Sequence, residues 1–254
     1  MVVIVCDGVN SIVSELLDLK PTRVYSTWGV RGFTSYPSGH GFSNEVIRMM
    51  RDNMIVGRMP VDDNLVYWFV ARQWPSSDDS RVSKEPELIK RATVESIMDF
   101  PTEMVEIVKN GDTESVTLTK LRYRAPWDLL RGSFRKGTVI VAGDAMHAMG
   151  PFLGQGGSAA LEDAIVLARN LAQELCITGS KGIEQRIMQV RVEAAMDRYV
   201  KERRMRLLML STQTYLIGKL LEATSPSTKL LNAIFLVVFF GKSLSHAQYN
   251  CGRL

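Results

Sequence analysis

TVIVAGDAMHAMGPFLGQGGSAALEDAIVLARNLAQEL, residues 138–175, is the stretch on which the reading of the whole chain turns. Val139-Ile140-Val141-Ala142 is apolar and rich in β-branched side chains and stops at Gly143-Asp144, the pattern of a short buried strand ended by a turn. Such a strand delivers Asp144 to its carboxyl end, where the loops of an open α/β sheet converge on ligands. Gly150-Pro151 and Gly154-Gln155-Gly156-Gly157 then let the backbone turn sharply and approach a ligand closely. A helix is expected from about Ser158 to Leu175, with Ala160, Ala164, Leu167, Leu171 and Leu175 along one face. Glu162 and Asp163 sit in its first turns, where acids suit the helix dipole. Unpaired N–H groups near Gly156 and Gly157 favour an acceptor-rich or anionic ligand group. With Asp144 accepting from hydroxyls, the stretch reads as a polyol chain held by a carboxylate and an electron-rich ring edge over a helix N-terminus.

The run GDAMHAMGPFLGQGGSAALEDA resembles the second FAD-binding motif of the class A flavoprotein monooxygenases, the para-hydroxybenzoate hydroxylase-like family. Strand, Gly-Asp, His, Pro, Gly-Gln-Gly and the Glu-Asp-Ala helix stand in register. The resemblance implies that Gly143-Asp144 contacts the ribityl hydroxyls of FAD, while Pro151, Gly154, Gln155, Gly156 and Gly157 lie along the isoalloxazine. Near the start, DGVNS at 7–11 is similar to the family's Asp-Gly-x-x-Ser motif, which adds Asp7, Gly8 and Ser11 to the cofactor side. The family usually carries an Arg three residues after that Ser, where this chain has Ser14. WGVRGFTSYPSGHGF and the YVKERR of a later helix resemble the plant salicylate-hydroxylase-like and zeaxanthin-epoxidase-like branch. Arg31 and His40 in the first of these are candidates for the pocket and equally for a surface strand and loop, so no catalytic residue is singled out.

Composition sets the frame for this reading. The 254 residues are 46% hydrophobic and 23% charged, enough to bury a sizeable core in one large domain or two intimate ones. A net charge of +4 is mild, and no dense basic stripe with interleaved aromatics suggests nucleic-acid binding. Cys6, Cys176 and Cys251 are scattered, odd in number and without C-x-x-C, so a reducing compartment, cytoplasmic by default, is expected. His40, His147 and His246 lack metal-ligand spacing, and no metal is expected. Val2 to Cys6 lacks a basic region before it and does not read as a signal peptide. Leu230 to Phe240 is apolar apart from Asn232 and too short to span a bilayer. It reads as a helix packed on the body, with peripheral membrane contact as the alternative.

Along the chain, residues 1–21 form a strand, the Asp-Gly turn and a helix carrying Ile12, Leu16 and Leu19. Residues 22–127 form a sheet-rich domain with strands at Val24 to Phe33, Leu65 to Ala71 and Ser115 to Tyr123. Trp74 to Pro86 is a polar loop, and Pro86 to Lys109 is helical with a break near Pro101. Residues 128–177 hold the Gly-Asp segment. Residues 178–254 are expected to be a C-terminal helical region that opens on a break at Thr178 to Gly182, with Ile183 to about Glu222 helical in pattern and Val192, Met196, Tyr199, Leu207 and Leu210 as a buried stripe. The basic cluster Arg198, Lys201, Arg203, Arg204 and Arg206 reads as a solvated helix face. The fold expected is α/β: the C-terminal part of a FAD-binding three-layer fold with an inserted, largely antiparallel sheet and a helical C-terminus.

The family holds the ADP half of FAD with a G-x-G-x-x-G loop on an N-terminal β-α-β unit, and that loop does not occur in these 254 residues. The expectation is therefore a short isoform, a truncated gene model or a fragment, with strands at Val2 and Val139 that lose sheet neighbours. By resemblance the function is monooxygenation: NAD(P)H reduces FAD, and one atom of dioxygen passes to an aromatic or alkene substrate. The alternative is a non-catalytic chain that cannot retain FAD and acts through a partner. A Ser158–His147–Asp163 triad is conceivable, but no G-x-S-x-G elbow surrounds any serine.

Overall fold

The computed structural model describes residues 1–73, 85–176, 185–240 and 249–252. The expected polar loop from Trp74 to Pro86 (except its last two residues), the break at Thr178 to Gly182 and His246 lie outside these residues. The chain divides into two units, one formed by Met1–Val24 with Arg122–Leu254 and the other by Tyr25–Leu121.

The first unit is built on a three-stranded sheet of order β1-β8-β7, with β1 at Val3–Val5, β7 at Arg135–Lys136 and β8 at Val139–Val141. Strands β1 and β8 run parallel in the register Val3↔Val139, Ile4↔Ile140, Val5↔Val141, and β7 pairs antiparallel to β8. Short β-branched runs suit this central position, and Ile140 and Val141 are fully buried. Around the sheet lie α1 (Ile12–Leu16), α4 (Pro126–Arg131), α5 (Asp144–His147), α6 (Gly156–Cys176), α7 (Gln185–Glu222) and α8 (Pro226–Phe240). Helix α7, about 57 Å long at 1.5 Å per residue, packs extensively on α6 and also along α4 and α8. The expected stripe Val192, Met196, Tyr199, Leu207 and Leu210 is the buried one.

Two helix faces differ from expectation. In α1, Ile12 and Leu16 are the exposed residues, while Ser14, Leu17 and Leu19 are buried. The helix is only five residues long and ends where Asp18 adopts a positive φ of 56°, so the i, i+4, i+7 pattern has no continuous helix to act on. In α6 the core side is Ala159, Asp163, Val166, Leu167 and Asn170, whereas Ala164 and Leu175 are exposed.

The second unit carries a five-stranded sheet of order β3-β4-β5-β2-β6. Its strands are β2 (Arg23–Ser35), β3 (Ile47–Arg51), β4 (Met54–Asp62), β5 (Leu65–Gln73) and β6 (Thr117–Tyr123). The β3/β4, β4/β5 and β5/β2 pairs are antiparallel. Helices α2 (Pro86–Ser96) and α3 (Thr102–Lys109) are separated at Pro101, which cannot continue the first and opens the second. Val30, Val56, Val66, Trp68 and Val70 of the sheet bury against Ile97, Met104, Ile107 and Val108.

Candidate functional site

The Gly-Asp turn is set by the strand before it and the helix after it. The Ala142 N–H donates to the Val5 carbonyl at 2.9 Å, extending the β1/β8 ladder to the edge of the turn. Gly143 then takes φ 61° and ψ −146°, a region open to glycine, and starts the single turn of α5. Asp144 is exposed while Ala142, Gly143, Ala145, Met146 and His147 around it are buried. Among the described residues no hydrogen bond or ion pair engages the Asp144 carboxylate.

Asp163 on α6 is its opposite. It is buried, and its Oδ2 accepts the Gly143 N–H at 2.9 Å and lies 2.6 Å from His147 Nε2, while its Oδ1 accepts from Arg203 Nε at 2.7 Å. Arg203, fully buried on α7, also donates to the Ala159 carbonyl at 3.1 Å and pairs with Glu162 at 2.7 Å. Burial alone would raise the Asp163 carboxyl, but His147 and Arg203 outweigh it and hold the group below the usual carboxylate range. Burial would likewise lower the Arg203 guanidinium, and the paired carboxylates reverse that direction. The neighbouring Tyr199 phenol is pushed well up, first by burial and then by the Asp163 charge. This network locks the Gly-Asp turn to two helices.

A second set of bonds holds the turn from the β1 side. Ser11 caps α1 by accepting the Ser14 N–H at 3.1 Å. Ser14, standing where an Arg was expected from the motif, donates from its buried hydroxyl to the Ala145 carbonyl at 2.9 Å. Arg124 donates to the same carbonyl at 3.1 Å and to the Lys20 carbonyl.

Beside the turn is a cleft of about 640 Å³ lined by Ile4, Cys6, Gly8, Ala142, Gly143, Asp144, Gly156 and Gly157, with Ala160, Ala164, Leu167, Ala168 and Leu171 of α6 as its apolar wall. The α6 face expected from Ala160, Ala164, Leu167, Leu171 and Leu175 is thus, Leu175 apart, part of this wall. The cleft brings together five expected residues: Gly8, Gly143, Asp144, Gly156 and Gly157. Pro151, Gly154 and Gln155 lie in the short 3₁₀ turn and loop just before α6, and Asp7 is exposed beside Gly8; none of these four lines the cleft. A Cβ placed on Gly157 would meet nothing of the chain within 4 Å, and one on Gly156 would meet only Met149 at 3.9 Å. Glycine at these positions is therefore not required by internal packing. The Cys6 thiol at the cleft wall is pushed up by partial burial, then by the charges of Asp163 and Asp7, and stays protonated at neutral pH.

Other sequence candidates resolve into structural roles. His147 Nδ1 has no hydrogen-bond partner among the described residues, so no serine relay forms on it. Arg31 donates to Thr117 Oγ1 at 3.1 Å from an exposed strand position. His40 Nδ1 accepts the Phe42 N–H at 2.9 Å and its Nε2 lies 2.6 Å from the Asp62 carbonyl, with the ring stacked on Phe42. The basic cluster of α7 is not the solvated face expected. Arg203 is buried, Arg204 donates to the carbonyls of Leu129, Leu130 and Gly132, Arg206 pairs with Glu162 and Arg198 with Glu174.

The FAD-binding domain family matches residues 2–206. This chain belongs to that family. It is 48% identical over 254 residues to Monooxygenase 1 of Arabidopsis thaliana, covering all of this chain and 63% of that protein. It is 32% identical over 257 residues to Monooxygenase 2 of the same plant, covering 62% of it. Among solved structures, HpxO of Klebsiella pneumoniae complexed with FAD and uric acid shares the fold at a TM-score of 0.73, with 18% identity over 99% of this chain and 61% of that one. The chain spans a little under two thirds of the length of the curated relatives it matches. The flavin-dependent monooxygenase family read from the Gly-Asp motif is thus the chain's family, and the mixed α/β architecture with its inserted antiparallel sheet is that family's fold. The cleft suits a flavin cofactor on its own terms: an unengaged carboxylate, a helix N-terminus and glycines that leave its floor open.

Proposed function

We propose that this chain supplies the flavin side of an FAD-dependent monooxygenase that takes electrons from NAD(P)H and places one atom of dioxygen on an aromatic or alkene small molecule. The observation that carries the reading is the pairing of Asp144, exposed and unengaged, with the open glycines Gly156 and Gly157 in one cleft. Bound FAD would supply the redox and oxygen chemistry. The chain's own part is to bind and orient. Asp144 accepts hydrogen bonds from the ribityl hydroxyls, and the first N–H groups of α6 face the electron-rich edge of the ring. Gly143 and Gly8 keep the backbone close, Asp7 flanks them, and the loop of Pro151, Gly154 and Gln155 borders the ring. The apolar wall from Ala160 to Leu171 excludes water. Family membership and relatives named monooxygenase support the reaction class.

A second reading is favoured by one sequence fact, the absence of G-x-G-x-x-G from the 254 residues. In it the chain does not hold FAD by itself. Titrating the purified chain with FAD, followed by quenching of flavin fluorescence, separates the two. Saturable binding that weakens in Asp144→Ala, together with NAD(P)H-dependent dioxygen uptake, supports the enzyme, whereas no binding at any accessible FAD concentration supports the second reading.

A further inference from the structure

Helix α8 is amphipathic the wrong way round for a surface helix. Leu230, Leu231, Ile234, Phe235, Val237 and Val238 are between 46% and 69% exposed. At 100° per residue they fill one continuous sector of roughly 160°. The half-buried side holds Lys229, Asn232, Ala233, Leu236 and Phe240, so beyond the exposed Pro226, Ser227 and Thr228 of the first turn the two polar residues lie toward the protein and the outward face is aliphatic and aromatic. A soluble surface normally shows the reverse. A contiguous apolar patch of this kind marks a surface that meets something apolar.

The charge pattern says what. From Ala223 to the last residue the sequence contains Lys229, Lys242, His246 and Arg253 and no Asp or Glu. A convex apolar ridge in a segment with basic and no acidic side chains is the composition of a helix lying in the headgroup region of an anionic bilayer. The helix is 15 residues long, about 22 Å, and no helix among the described residues is long and apolar enough to cross a membrane. It fits the interface plane. We infer that the outward face of α8 is a peripheral membrane-binding surface selective for anionic lipid. The inference does not depend on whether the chain retains FAD.

Flotation of the 254-residue chain with vesicles tests it, comparing pure phosphatidylcholine with an equimolar mixture of phosphatidylcholine and phosphatidylserine. The chain should float with the mixed vesicles and much less with the neutral ones. Leu231→Glu/Val238→Glu, at the centre of the exposed sector, should cut partitioning at least tenfold without changing the thermal midpoint, and Leu231→Ser/Val238→Ser should cut it less. Absence of flotation with the mixed vesicles would overturn the inference, as would equal flotation on neutral vesicles or unchanged binding by both variants. A dimer in sedimentation velocity that the Glu variant dissociates, with no flotation, would assign the face to a second copy instead.

Discussion

Two carboxylates 19 positions apart do unlike work, and the difference lies in their partners. Asp144 is unengaged at the cleft, so Asp144→Ala should leave the fold intact and weaken FAD binding by about 1.5–3 kcal/mol, the range for a hydrogen bond to a charged group; unchanged affinity by fluorescence titration would sink the assignment. Gly157→Val should block flavin binding for a steric reason, and because a Cβ there touches nothing of the chain, its thermal midpoint should stay near that of the parent. Asp163 behaves differently. Its removal leaves Arg203 buried without its main partner, and Asp163→Ala should cost about 3–5 kcal/mol of stability in urea unfolding. Asp163, Glu162 and Asp197 all have carboxyls held below their ordinary range, so the stability they add is fully present above the unfolded value of about 4 and is lost as pH falls through the lower folded values. Unfolding midpoints should therefore drop below about pH 4, and Asp163→Asn should flatten part of that fall. That Gly143, Asp144, Gly156 and Gly157 would meet in one place was legible in the sequence because the motif is contiguous. Asp163 was not, because its guanidinium partner is 40 residues away and a first-turn acid looks the same on paper whether it faces solvent or core.

Among the elements, strong periodicity survived folding and weak periodicity did not. Helix α6, the stripe of α7, the break at Pro101 and the strands β2, β5 and β6 were readable within a few residues. The β3/β4 hairpin was not. Its strands carry Met49, Met50 and Met54 in place of β-branched residues, and its turn uses Asp52 and Asn53, both at positive φ, without the glycine that signals such turns. Helix α8 was readable as a helix and does pack along α7, but apolar content alone does not tell which face of it turns outward. Close packing makes β2 sensitive to added volume at Gly32. A Cβ on Gly32 would sit 2.5 Å from Cζ2 of the fully buried Trp68, so Gly32→Ala should destabilise by about 1–3 kcal/mol, measurable as a lower urea midpoint with unchanged slope.

For the molecule as a whole, the cofactor question turns on which half of FAD the 254 residues can grip. Pyrophosphate at a glycine-loop helix and an acid on the ribose are charge-assisted contacts of about 1.5–3 kcal/mol each. A chain without them should bind FAD roughly two to four decades more weakly than one that also carries a G-x-G-x-x-G unit, at about 1.4 kcal/mol per decade. Purifying nearly colourless, and turning yellow when such a unit is fused ahead of Val2, is the expected result; stoichiometric FAD on the chain alone would contradict it. The Arg203–Asp163–His147 network has a consequence for how any survey of variants is scored. Ranked by catalytic output, changes at Arg203, Asp163 and His147 should look as damaging as any in the cleft. Ranked by how much intact protein accumulates in the cell, they should fall to the bottom while Asp144 and Gly157 variants stay near the top. The gap between the two rankings, residue by residue, separates scaffold from binding surface without a bound ligand ever being seen.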